Sequence, residues 1–266
     1  MKELILSQLS AECPWRDTLY WFNTTDSTNT QAKLLARQGA PHGTVVLAGM
    51  QTGGRGRMGR SFSSPEGMGV YLSVILRPQC PPAQLMHLTC AAGVAMCDAI
   101  NKAAGFTPGV KWINDLVFEK RKLGGILTEL GVNPATELTD YAIVGIGINC
   151  RQNPQDFPEE IRGMAASLSM FAKRDVDCAA VAAAMVEALW QMSRQLFSEK
   201  EGLMNRYRRL CVTLGQPVCV HGSEELRYGT AIDLNDDGGL VVDFADGDQK
   251  TVNSGEVSVR GLYGYI

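Results

Sequence analysis

Three arginines interleaved with glycines make Gln51-Thr52-Gly53-Gly54-Arg55-Gly56-Arg57-Met58-Gly59-Arg60-Ser61 the segment of this 266-residue chain best suited to chemistry. Arginines spaced two and three residues apart make no sense in a core. Glycine lets backbone approach a ligand closely, and backbone N–H groups with guanidinium forks suit phosphate oxygens. The bland alternative is a solvated loop with scattered arginines. Two familiar phosphate motifs fail on context. Gly54, Gly56 and Gly59 satisfy G-x-G-x-x-G, but Ser61 to Gly69 cannot open a helix, and no acid stands about 20 residues on. Gly54 to Ser61 resembles a P-loop, yet Arg60 replaces its lysine and the helix is again missing.

A second constellation runs Lys111-Trp112-Ile113-Asn114-Asp115, then Glu119-Lys120-Arg121-Lys122, then Leu123-Gly124-Gly125-Ile126-Leu127. Alone, the 119–122 run reads as a solvated hairpin turn, Asn114 and Asp115 as turn residues, and Trp112 as core. Its co-occurrence with the arginine loop favours a ligand site.

The elements that must position these residues follow from periodicity. Residues 24–39 read as a loop entering a helix capped by Ser27 or Thr28, with Gln31 completing a weak capping box. Thr44 to Met50 and Val70 to Leu76 read as buried strands, and Pro82 to Ala104 as a helix with Leu85, Leu88, Ala92, Ala95, Ala99 and Ile100 on one face. Val110 to Leu130 reads as strands around a charged turn, Tyr141 to Asn149 as another strand, and Val176 to Leu210 as a long helical stretch. Beyond Gly215-Gln216-Pro217 the pattern shifts to short runs at 218–220, 228–233, 240–244 and 257–259, separated by turn signals. The expected organisation is an α+β, mixed-sheet domain over 1–213 and a small β domain over 214–266.

Composition narrows the classes. A formal net charge of −3 supplies no global positive field for nucleic acid or anionic lipid. No apolar run approaches the roughly 18 residues of a membrane span, and the first residues lack a signal peptide's apolar stretch. The eight cysteines include no CxxC pair, and the three histidines are far apart, so no metal-ligand spacing is present. Reduced thiols and a cytoplasmic enzyme are expected, bound to neither membrane nor nucleic acid.

Taken together, Asp26-Ser27-Thr28-Asn29, the Gln51 to Arg60 loop, Lys111-Trp112-x-Asn114-Asp115, Lys122-Leu123-x-Gly125-Ile126-Leu127 and Gly145-Ile146-Gly147-Ile148-Asn149 resemble the biotin–protein ligases, in the family's order. The β-rich C-terminus resembles the family's SH3-like cap. The resemblance implies a fold related to class II aminoacyl-tRNA synthetases, an adenylate intermediate, and a biotin carboxyl carrier protein as acceptor; a homodimer is compatible with it. By residue, Ser27, Thr28, Asn29 and Gln51 match biotin contacts. Arg55, Gly56 and Arg57 fall on the loop closing over biotin and the adenylate. Lys122, with Gly125 nearby, falls between the biotin carboxylate and the α-phosphate. Asn114 and Asp115 match the ATP and Mg²⁺ side, so Lys122, Arg57 and Asp115 are the expected catalytic residues, with no dedicated metal cage. Arg260 resembles a nucleotide-facing arginine of the cap. Met58 departs from the family's arginine and Phe62 from its tryptophan. Only 25 residues precede Asp26, so a winged helix–turn–helix is not expected.

The chemistry fits these residue types. Biotin's ureido group needs hydrogen-bonding partners when buried, its carboxylate must approach a phosphate, and no side-chain nucleophile is required. A lipoate–protein ligase shares the fold and the two-step reaction, but lipoate has no ureido group for a polar shell to serve. A biotin-sensing regulator without catalysis is opposed by the lysine retained at 122.

Overall fold

The computed structural model describes residues 1–172, 174–221 and 226–253, and the backbone alone of 256–259. Its larger sheet comprises β1 (Leu19–Thr25), β2 (Thr44–Gln51), β3 (Gly69–Leu76), β4 (Gly109–Lys111), β5 (Asp115–Phe118), β6 (Arg121–Val132) and β7 (Thr139–Asn149). The spatial order is β1-β2-β3-β7-β6-β5-β4. β1 and β2 run parallel and the other neighbours antiparallel, a mixed sheet in an α+β fold, as expected.

Strand alternation divides the core between the two faces. Val70, Leu72, Val74 and Leu76 of β3 and Ala142, Val144, Ile146 and Ile148 of β7 point to the face covered by α1 (Lys2–Gln8), α3 (Leu88–Ala104), α4 (Cys178–Gln195) and α5 (Lys200–Leu210). Ile75, Tyr141 and Ile143 point the other way, onto Ala32 and Ala36 of α2 (Thr28–Arg37). Helix α3 is apolar enough on most sides to pass for a membrane span by length and composition together with the 3₁₀ turn before it. However, 72% of its most apolar window is buried, as in a core helix.

Several elements differ from the sequence reading. The expected helix over 176–210 is two helices, because His87 Nε2 lies 2.8 Å from the Leu196 carbonyl and takes the place of a helical N–H. The expected helix from Pro82 opens as a 3₁₀ turn over Pro82–Leu85. Ser27 is the N-cap of α2 but makes no side-chain cap bond, so the capping box does not form. Strand β1 and helix α1 went unanticipated.

Past Gly215 a second, wholly antiparallel sheet contains β8 (Pro217–His221), β9 (Leu226–Leu234), β10 (Leu240–Phe244), β11 (Gln249–Val252) and β12 (Glu256–Val259), in the order β11-β10-β9-β8-β12. Its 235–239 turn docks on the larger unit. The indole N–H of Trp112 donates to the Gly238 carbonyl at 2.8 Å, and Lys200 and Arg208 pair with Asp237 and Asp236. Arg260 lies outside the described residues.

Candidate functional site

The face of the sheet under α2 changes character along its length. Next to α2's apolar side it carries Ile75 and Ile143; further along, the same face carries Ser73, Gly145, Gly147 and Gly125. Registers Ser73↔Gly145, Leu127↔Gly145 and Gly125↔Gly147 place these small residues side by side, and a cavity of about 290 Å³ opens where the side chains shrink. A Cβ at Gly145 would stand 1.8 Å from Asn29 Oδ1, and one at Gly147 would stand 2.4 Å from the Phe62 ring. Here the glycines hold neighbouring side chains against the sheet.

The floor is a closed hydrogen-bond network. Ser27, Thr28 and Asn29 at the start of α2 are each 4% exposed, so unpartnered polar atoms would be costly. Gln51, at the end of β2, accepts at Oε1 from Thr28 N (2.8 Å) and Thr28 Oγ1 (3.1 Å), supplying from a distant strand the cap that α2 lacks locally. Its Nε2 donates to Ser64 Oγ at 2.8 Å. Fully buried Ser73 lies 2.6 Å from Asn29 Oδ1 and 2.8 Å from Thr28 Oγ1. An amide oxygen only accepts, so Ser73's proton goes to Asn29. Asn29 Nδ2 donates to Glu129 Oε2 at 2.8 Å and faces the Leu127 carbonyl at 3.3 Å.

The arginine–glycine segment forms a short hairpin over this floor. Phe62 N donates to Gly54 O at 2.9 Å and Gly56 N to Arg60 O at 2.7 Å, with a 3₁₀ turn at Arg57–Gly59. Met58 at its tip is 68% exposed and left-handed (φ 55°, ψ 35°), unusual for a residue with a Cβ. Arg55 NH2 reaches Glu129 Oε2 at 3.3 Å, and Arg57 NH1 donates to Asn114 Oδ1 at 3.1 Å. Phe62 lies edge-on to Tyr71, 6.4 Å between centroids.

The opposite wall comes from the β5–β6 hairpin. Only Glu119 and Lys120 form its turn, both with positive φ (46° and 60°), as a tight two-residue connection requires. The expected solvated run at 119–122 is thus shorter: Lys122 lies on β6 and lines the cavity. Its main chain is held by Met164 O at 2.7 Å and Ala166 N at 2.8 Å, and its Nζ lies 2.7 Å from Asp115 Oδ1. Asn114 Nδ2 donates to Ile126 O at 3.0 Å, fixing which way its oxygen faces Arg57.

Every expected site residue, namely Ser27, Thr28, Asn29, Gln51, Arg55, Gly56, Arg57, Asn114, Asp115, Lys122 and Gly125, lines this one cavity. Lys122 and Arg57 stand with Asp115 and Asn114 on the β5–β6 side, and Arg55 stands with Asn29 at Glu129 on the α2 side.

Residues 21–149 match the Biotin/lipoate A/B protein ligase family, and residues 213–260 match the Biotin protein ligase C terminal domain. The chain is 35% identical to the bifunctional ligase/repressor BirA of Bacillus subtilis, over 87% of this chain and 71% of that one. It is 31% identical to the biotin–[acetyl-CoA-carboxylase] ligase of Mycobacterium tuberculosis, over 88% and 85%. The Aquifex aeolicus biotin protein ligase solved with biotin and ATP superposes with a TM-score of 0.76 at 30% identity, covering 91% of this chain and 98% of that one. The chain belongs to the biotin protein ligase family.

Within this family's framework, sequence reasoning missed two residues that organise the floor of the biotin protein ligase cavity. Ser73 is the one small polar residue in the apolar run Val70 to Leu76, a signal that could have been read. Glu129 carried no such signal, since a carboxylate near a strand's end reads as solvent-facing. Burial raises its carboxyl pKa, but hydrogen bonds from Lys33 and Asn29 and the charges of Lys33 and Arg55 outweigh this and hold it below the usual range. Phe157, Ile161, Met164 and Ala165, from an irregular segment, also close the cavity and were not anticipated.

Proposed function

We propose that this chain joins biotin to ATP as biotinoyl-5′-AMP and passes the biotinoyl group to a lysine of a biotin carboxyl carrier protein. The observation that carries this reading is the polarity gradient of the cavity. Ser27, Thr28, Asn29 and Gln51 form a neutral donor–acceptor shell on the α2 and β2 side, while Lys122 and Arg57, bound to Asp115 and Asn114, form a cationic wall on the β5–β6 side. A substrate with a polar uncharged head and an anionic tail, beside a polyphosphate, satisfies both.

In the first step a biotin carboxylate oxygen attacks the α-phosphorus and pyrophosphate leaves. The two anions repel by about 4 kcal/mol at 4 Å for an effective dielectric near 20. The Lys122 ammonium, between them, turns that repulsion into attraction and stabilises charge growing on the α-phosphate. Asp115, 2.7 Å from Nζ, keeps the ammonium aimed along the wall. The arginine hairpin excludes water from the mixed anhydride, with Arg57 hinged on Asn114. In the second step the acceptor lysine's amine attacks the carbonyl carbon, loses a proton, and AMP leaves.

Mg²⁺ would travel on the phosphates and neutralise pyrophosphate charge. No cluster of three or more His, Cys, Asp or Glu side chains occurs among the described residues, and Asp115 is the carboxylate in the cavity wall. That donor set fits an ion held chiefly by phosphate and water. The 1–213 segment is read as the catalytic domain and 214–266 as its β cap. Eight unpaired cysteines, seven of them buried, suit the reducing cytoplasm.

The test is ATP-dependent incorporation of biotin against lipoate into a carrier domain. Biotin alone should be incorporated, because lipoate leaves the polar shell unpaired; equal incorporation would refute the reading.

A further inference from the structure

Glu129 sits outside the cavity lining, yet it ties together three groups that shape it. Its Oε1 receives Lys33, and its Oε2 receives Asn29 Nδ2 at 2.8 Å and Arg55 NH2 at 3.3 Å. Asn29 and Lys33 are four residues apart on α2 and share the face turned toward β6. The register Glu129↔Ile143 puts the carboxylate on the same face as Leu127 and Gly125, one step beyond the glycine hollow.

The consequence concerns the polarity of Asn29. An amide can present its oxygen or its nitrogen in nearly the same volume, and only its neighbours decide which. Glu129 and the Leu127 carbonyl are both acceptors, so they demand Nδ2; the Ser73 hydroxyl on the opposite side can donate or accept, and with Nδ2 so engaged it donates to Oδ1. Leu127 is a weak constraint at 3.3 Å, so the charged partner dominates. Gly145 leaves room for the amide to lie against the sheet, where a Cβ would stand 1.8 Å from its oxygen.

We infer that Glu129 is a positioning residue for biotin recognition: by accepting from Asn29 Nδ2 it fixes which hydrogen-bonding atoms the cavity floor offers, and its second role as a tether for Arg55 is subordinate. This rests on the reading of the cavity as the biotin site. Glu129 touches neither substrate nor reacting atoms in this arrangement; it acts through Asn29.

Steady-state ligation by Glu129→Ala and Glu129→Gln, alongside Lys33→Ala, tests this. Glu129→Ala should raise the KM for biotin about tenfold, the scale of one charge-assisted hydrogen bond, with kcat and the KM for ATP nearly unchanged. Glu129→Gln retains a carbonyl acceptor for Asn29 and should restore most of the biotin KM, although it cannot pair with Lys33 or Arg55. Lys33→Ala removes a partner of Glu129 that lies outside the cavity lining and leaves Asn29 its acceptor, so it should not reproduce the biotin-specific effect. Three results would overturn the inference: a Gln variant as impaired as Ala, biotin and ATP constants rising together with a falling Tm, or no change at all. Should Glu129→Ala fail to fold, the Gln variant and the Lys33→Ala control still decide, since a biotin KM lost in Gln or matched in Lys33→Ala refutes positioning through Asn29. Failure of the underlying reading looks different: wild-type protein would then incorporate no biotin.

Discussion

The floor and the hairpin of the cavity are built on opposite principles. On the floor, Thr28, Asn29, Gln51, Ser64 and Ser73 hydrogen-bond to one another; all but half-buried Gln51 are buried, and all but Ser64 sit on α2 or the sheet. On the hairpin, two cross-links of backbone hold a turn whose tip is exposed, and the arginines reach out to Glu129 and Asn114 across water-accessible gaps. A buried network held by its own hydrogen bonds presents its remaining donors and acceptors in a fixed arrangement; a hairpin with few buried contacts opens at little cost. On the proposed reading, the contrast assigns selectivity for the ligand to the floor and retention of the intermediate to the hairpin.

The sharpest way to break that division lies between them, at the wall. Lys122→Ala should slow adenylate formation about a hundred- to thousandfold with circular dichroism and Tm near wild type; normal synthesis would remove the lysine from the reaction. Next in size is a paired glycine test. Gly145→Ala drives a methyl to 1.8 Å from Asn29 Oδ1, and should cost about 1–3 kcal/mol of stability and weaken biotin binding measured by calorimetry. Gly59→Ala meets no atom within 4 Å and carries only the left-handed penalty of φ +74°, about 1 kcal/mol, so biotin affinity should hold. Similar binding losses from both would erase the distinction.

Arg57→Gly comes third. Dissociation of biotinoyl-AMP should accelerate about tenfold, the scale of one charge-assisted contact, while its synthesis changes less. The released anhydride should then label lysines on bystander proteins. Slower synthesis without leakage would make Arg57 a phosphate contact instead.

The smallest effect is in acid. Glu129's carboxyl pKa is lowered in the folded protein, so the unfolded chain binds the proton more readily, and the stabilisation is present at neutral pH and disappears as pH falls through the lowered value. The Tm difference between wild type and Glu129→Gln should therefore be open at pH 7 and close below about pH 4. A gap independent of pH would mean that packing, and not charge, is what Glu129 contributes.

Much of this organisation was legible in the chain. The interior strands β2, β3 and β7 announce themselves as apolar runs, and the arginine loop and the KWxND segment stand out because their residue types are wasteful anywhere but at a site. What escaped was structure set by distant partners. Strand β1 lies at the sheet edge and lacks clean alternation, and β11 is a mostly exposed polar strand, Gln249-Lys250-Thr251-Val252. The break after α4 depends on His87, over a hundred residues upstream in the chain. The cap of α2 comes from Gln51, which no local pattern can reveal. Likewise Glu129 becomes part of the floor only because β6 pairs in register with β7 beneath α2.

The bond from the Trp112 indole to the Gly238 carbonyl has a consequence for dissection of the molecule. Two residues beyond that tryptophan stands Asn114, hinge of the arginine hairpin, and Trp112's own amide is held by Thr213 Oγ1, at the junction of the two units. Excising the C-terminal sheet would strand a buried indole donor at the root of the wall that carries Asn114 and Asp115. The sheet's 235–239 turn thus acts as a keystone, braced against Trp112 in the cavity lining and bearing on the segment that follows it. A protein divided near residue 214 for use as complementing halves would regain an ordered wall when the 235–239 turn seats again, so reassembly itself would become the signal that the halves have met.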